Sequence, residues 1–124
     1  MPHLVQSPTR IAYAGTQPKL IDEYVGRVRT GNGHVSVARM RSPEGWAEPA
    51  QAPEFEEHTL VISGLLRVEH WGEGGAGVLD VRAGELVSVA AGERVRYSTP
   101  GPGGAEYLAI CLPAFSPAIV HREA

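Results

Sequence analysis

The sequence predicts an all-β domain, a sandwich or a closed barrel, on three observations. Short β-favouring runs follow one another closely along the chain. The 15 glycines and 10 prolines among its 124 residues fall between those runs as turns and do not gather into a low-complexity tract. No stretch sustains the apolar period of a helix, and many short strands joined by such turns make a sandwich or a barrel.

Taken in order, MPHLVQSPTR opens an arm over residues 1–22, expected to cover a sheet edge or a partner subunit. EYVGRVRT (23–30) is a possible strand that carries Arg27 and Arg29 on one face, and TGNGH (30–34) is a turn. HVSVARM (34–40) alternates as a strand does. SPEGWAEPAQAPEF (42–55) is a connection in which Pro43, Trp46, Pro49 and Phe55 can shape a rim. HTLVISGLLRVEHW (58–71) is a long β-branched strand. GEGGAG (72–77) reads as a hairpin connection, because no helix follows to make it a phosphate cradle. GVLDVRA (77–83), ELVSV (85–89), ERVRYST (93–99) and AEYLAICL (105–112) complete the strands, separated by AGE (83–85 and 91–93) and PGPGG (100–104). The expected organisation is one domain over 1–124, with a barrel from 23 to 115 and a tail from 116 to 124.

Eleven basic and fourteen acidic residues leave a net charge of −3, with no basic cluster longer than a pair. That balance argues against nucleic acid and anionic membrane surfaces, and makes a small molecule or a second copy the expected partner. Cys111 is the single cysteine, which excludes an intramolecular disulfide and reads as a small buried apolar residue. No apolar run approaches the ~20 residues that span a bilayer, and the first ten residues do not resemble a secretory leader. A cytoplasmic protein is expected.

Two spacings carry a resemblance. Glu57 is followed by six residues and Gly64; Gly84 is followed by five residues and then Ala90, Ala91 and Gly92. The chain resembles the cupin superfamily, whose motifs are written G(X)5HXH(X)3-4E(X)6G and G(X)5PXG(X)2H(X)3N. The likeness covers roughly residues 34 to 115, and CLPAFSP (111–117) is similar to the ends of many small cupins. It implies an antiparallel jelly-roll barrel and a homodimer, while its three histidine ligands are missing. The histidine pair falls on Gln51 and Pro53, or on Ala50 and Ala52; in the second motif the proline falls on Ala90, the histidine on Val95 and the asparagine on Thr99. Only the glutamate ligand, Glu57, is in place. No cofactor is therefore expected; were a divalent transition metal held, its ligands would be Glu57, Gln51 and His121.

Alternation from Glu57 sends Glu57, Thr59 and Val61 inward, with Val95, Tyr97 and Thr99 on the motif-two strand, and turns His58 outward. Glu57 and Tyr97 are the expected catalytic pair: a carboxyl desolvated in an apolar barrel works as an acid or base, and a phenol beside it holds a substrate oxygen. The alternative is that Arg27 or Arg39 neutralises Glu57 as a buried charge. Gln51, Arg27, Trp46, Thr59 and Thr99 are the expected ligand-binding groups, and Glu48, Glu54 and Glu56 read as solvated loop charges. The functional expectation is a barrel that binds a small polar or anionic molecule, as a metal-independent isomerase, cyclase or lyase. The alternatives are a binding or sensing module without turnover and a metal-dependent enzyme with unusual ligands.

Overall fold

A computed structural model describes residues 1–12, 18–72 and 74–123. Among them are nine strands and no helix: β1 (Thr9–Ile11), β2 (Leu20–Val25), β3 (Ser36–Ser42), β4 (Trp46–Ala47), β5 (Glu56–Gly72), β6 (Gly75–Arg82), β7 (Leu86–Val89), β8 (Val95–Thr99) and β9 (Ala105–Leu112). All pairings are antiparallel, in the order β1-β2-β3-β9-β5-β8-β4, with β6 and β7 also on β5.

The 17-residue β5 organises the rest. Its first half pairs with β9 and β7, and its second half with β6 and β8. One strand thus belongs to two sheets that curl around a shared core. Trp46, Val61, Leu66, Val68, Val81, Val87, Val89, Val95, Tyr97, Ala105 and Tyr107 form that core, drawn from six strands of both sheets. Burying side chains of this kind contributes ~1.5–3 kcal/mol each. Phe55, Cys111 and Val120 make a second cluster beneath the carboxyl-terminal segment, with Phe115 and Ile119 against it.

The bend in β5 explains why a glycine closes the first motif. Gly64 has φ +81°, and a Cβ there would lie 2.1 Å from the Gly104 carbonyl oxygen, on the turn that leads into β9. Hydrogen cannot be replaced by methyl at that point without moving backbone. Gly92, φ +85°, meets nothing within 4 Å, so it needs only the left-handed turn.

The expected arm and the possible strand at 23–30 both change. Thr9–Ile11 and Leu20–Val25 are hydrogen-bonded into the sheet, because β2 extends β3 from Leu20↔Arg41 to Val25↔Val37; residues 13–17 of the arm lie outside the described ones. The strand ends at Val25, since Glu23 accepts hydrogen bonds from the amides of Val28 and Arg29 and folds 26–30 into a turn. The GEGGAG connection joins β5 to β6 with Gly72 opposite Gly75, and Glu73 lies outside the described residues.

Gly64→Ala is expected to destabilise by at least ~2 kcal/mol, and Gly92→Ala by about 1–2 kcal/mol, the left-handed term alone. Urea unfolding of both variants checks the order; equal costs would disprove the close-approach account of Gly64.

Candidate functional site

The barrel encloses a cavity of about 70 Å³, room for roughly five waters. Glu57 and Thr59 reach it from β5, Tyr97 from β8, and Tyr107, Ala109 and Cys111 from β9. The inward alternation along β5 and β8 places them, since Glu57, Thr59, Val61, Val95, Tyr97 and Thr99 are all buried. His58 faces away and bonds Ser88 and Glu56.

Two segments outside these strands bring the charges. Lys19, just before β2, lies with Nζ 4.1 Å from the Trp46 ring centroid and 5.4 Å from that of Tyr107. Arg122, near the carboxyl end, donates from Nε and Nη2 to Gln51 Oε1 at 3.3 and 3.2 Å, and its Nη2 lies 3.5 Å from Glu48 Oε2. Tyr97 donates to Glu57 Oε1 at 3.3 Å. Two cations, Lys19 and Arg122, and three carboxylates, Glu23, Glu48 and Glu57, therefore line one low-dielectric space, Glu23 already accepting from the Val28 and Arg29 amides.

Burial, with Glu48 as a nearby like charge, raises the Glu57 carboxyl to about 7; Lys19, the Tyr97 hydroxyl and Arg122 pull against that rise. Burial likewise raises Glu48, opposed by Lys19 and Arg122. Burial pulls the Lys19 ammonium down, but Tyr107, Glu48 and Glu57 outweigh it and leave it above its ordinary value. Burial pushes the Cys111 thiol up, which leaves it a poor nucleophile. A carboxyl near 7 beside buried cations can exchange a proton at neutral pH.

Of the residues singled out from sequence, Glu57, Tyr97, Gln51 and Thr59 line this cavity together. The others do not. Arg27 donates from Nε to the Ala114 carbonyl at 3.2 Å, because the turn at 26–30 carries it off the sheet. Arg39 faces outward and pairs with Glu106 at 2.6 Å, so neither arginine neutralises Glu57. Trp46 is 1 % exposed and part of the core, where it underlies Lys19. Thr99 donates to the Pro43 carbonyl at 2.7 Å. His121 pairs with the exposed Glu54, so it cannot share an ion with Glu57. Glu48, expected in solvent, is 5 % exposed and lines the cavity.

Lys19, Tyr107 and Arg122 escaped the sequence reading. Lys19 left one signal: it is the only lysine in the chain, two residues before Ile21 in an alternating run. Among the described residues no group of three His, Cys, Asp or Glu side chains is placed to hold a metal ion, and no helix is long and apolar enough to cross a membrane.

Oxalate decarboxylase of Bacillus subtilis superposes on this barrel in several structures. One variant gives a TM-score of 0.76 at 20 % identity over 95 % of this chain and 31 % of its own; another gives 0.75 at 18 % over 98 % and 33 %. The fold is that of the cupins. At this identity the likeness extends to the barrel alone, and no family model matches the chain. Endoribonuclease YbeY of Myxococcus xanthus is 42 % identical over 105 residues, 85 % of this chain, and the chain spans 34 % of that protein's length. That relative overturns two expectations from sequence: a barrel devoted to a small molecule, whether as isomerase, cyclase, lyase or sensor, and the exclusion of nucleic acid as a partner. The physical fault lay in arguing from net charge, which averages the surface and says nothing of where the arginines cluster.

A carboxyl raised from 4.5 to about 7 binds its proton more tightly folded than unfolded. Its burial is free of penalty below about pH 4.5 and costs stability as pH rises towards 7, by up to ~3 kcal/mol. Thermal melts from pH 5 to pH 8 are expected to show the parent losing stability more steeply than Glu57→Gln; parallel curves would show that Glu57 titrates normally.

Proposed function

We propose that this chain serves endoribonucleolytic RNA processing as a barrel that holds RNA, with phosphodiester cleavage carried out beside it. The observation that supports this most is the 42 % identity over 105 residues to a stretch making up a third of a protein named as an endoribonuclease. The cavity agrees with a holding role, since about 70 Å³ of space admits a few atoms and no polynucleotide. RNA would then meet the outside of the barrel, where single strands are held by cationic and aromatic side chains.

One observation favours a second reading, in which the cavity cuts a nucleotide inserted at its mouth. Glu57, near 7 and close to Lys19 and Arg122, is suited to take the proton of a ribose 2′-hydroxyl as its oxygen bonds phosphorus and the P–O5′ bond breaks, the 5′-oxygen taking a proton from water while the cations offset phosphate charge.

Incubating the purified chain with labelled single-stranded RNA separates the two. Retention on a filter with the RNA intact on a denaturing gel is expected. RNA shortened by the parent and left whole by Glu57→Gln would establish the second reading. Neither retention nor shortening would overturn both.

A further inference from the structure

Both outer faces of the barrel carry arginines, in different company. The outer side of β3, β9, β5 and β7 aligns Leu108, Leu60 and Leu86 across one row, and Leu60, Ile62, Leu86 and Leu112 are all exposed there. The outer side of β6, the second half of β5, and β8 carries Arg67, Arg82 and Arg96 among Asp80, Glu69 and the exposed Val78. Arg82 stands opposite Leu65, Arg67 opposite Asp80 and Ser98, and Arg96 opposite Glu69. At the far end the Trp71 amide bonds the Arg94 carbonyl, and the Arg94 guanidinium lies 4.2 Å from the Trp71 ring centroid. From Leu65 to Trp71 this face runs roughly 20 Å along β5.

We propose that this face, with Arg67, Arg82, Arg94 and Arg96 around the exposed ring of Trp71, is the surface on which single-stranded RNA lies. The inference rests on the proposed role in RNA processing and names where that role is exercised.

Three features carry it. Trp71 is 38 % exposed, the one aromatic among the exposed large apolar side chains of the described residues; an unstacked base can lie on such a ring whatever its sequence. The guanidiniums are forks that suit phosphate oxygens as well as carboxylates. The carboxylates that now occupy them are replaceable. Asp80 on Arg67, Glu69 on Arg96 and Glu123 on Arg94 keep 33, 32 and 49 % of their side chains exposed, so each can swing into water when a phosphate arrives.

The rival arginine cluster lacks these properties. Arg10 and Arg41 share Asp22, whose side chain is only 7 % exposed. Giving up that partner would strand a carboxylate with little access to water, which is costly. Arg39, next to them, is held by Glu106, whose side chain is 25 % exposed, less than any of the three carboxylates above. A single strand has its bases free to lie on the Trp71 ring, whereas a duplex keeps them stacked and paired.

Fluorescence anisotropy with a labelled single-stranded RNA of about a dozen nucleotides, followed across a salt titration, tests the assignment. Trp71→Ala is expected to weaken binding about tenfold, and Trp71→Phe to restore most of it. Arg67→Ala with Arg96→Ala should flatten the slope of log affinity against log salt by about 1.4. Arg39→Ala, on the other sheet, should change neither quantity. All variants are compared at equal melting temperature, so that a loss reports contact and not folding. RNA that binds the parent and is unaffected by the Trp71 and Arg67/Arg96 changes, or is weakened by Arg39→Ala instead, overturns this surface and leaves the role in RNA processing standing. A parent chain that binds no RNA overturns that role, and this surface with it.

Discussion

A single strand shared by two sheets is the constraint on which the molecule depends. β5 gives its first half to β9 and β7 and its second half to β6 and β8, so the two sheets cannot separate without breaking one continuous backbone. Sharing it requires a bend, and the bend places Gly64 against the Gly104 carbonyl in space that no side chain can occupy. The same curl turns alternate residues of β5 and β8 into one interior. Hydrophobic burial fills most of that interior and leaves at one side a small chamber, mostly apolar in its walls, into which a few charged groups reach.

The chamber is unusual for what it keeps out of water. Charges are costly to bury unless they are paired, and here the pairing comes from outside the central strands. Lys19 enters from the start of β2 and Arg122 from the carboxyl end, to face Glu48 and Glu57. Both ends of the chain are thereby tied to the barrel by electrostatics as well as by strand pairing. The carboxyl end is tied further by a bridge between Gln51 and Arg122 and by the pair of Arg94 with Glu123. Lys19 and Arg122 do not fully offset the burial of Glu57, which is why its proton leaves only near neutral pH.

A net charge of −3 averages over local rows of charged and apolar side chains. Leu60, Leu86 and Leu108 share one outer face with Arg39, and Arg67, Arg82 and Arg96 share the other with Asp80, Glu69 and Val78. Strand alternation makes these rows, because residues two apart on a strand share a face and cross-strand partners extend it sideways. Arg67, Glu69 and Trp71 share a face for that reason alone. Arg94 and Arg96 join them only because β8 lies beside β5.

What the sequence determined by itself was local. Glycine punctuation and β-branched runs marked β3 and β5 to β9 to within two or three residues, because turn chemistry and alternation act between near neighbours. Counting in twos from Glu57 found Thr59 on the same wall, and the motif spacing set Tyr97 opposite. Everything that depended on which segments meet was decided by the tertiary structure. The amino-terminal strands looked like an arm because their worth lies in pairing with β3, which the sequence does not announce. Glu48 looked like a loop charge because its partners, Lys19 and Arg122, stand 29 and 74 residues away along the chain. Arg27 and Arg39 looked like candidates for Glu57, yet a turn and an outward face removed both. Burial and charge pairing are properties of contacts between distant residues, and those contacts exist only once β5 has bent and the sheets have curled around it.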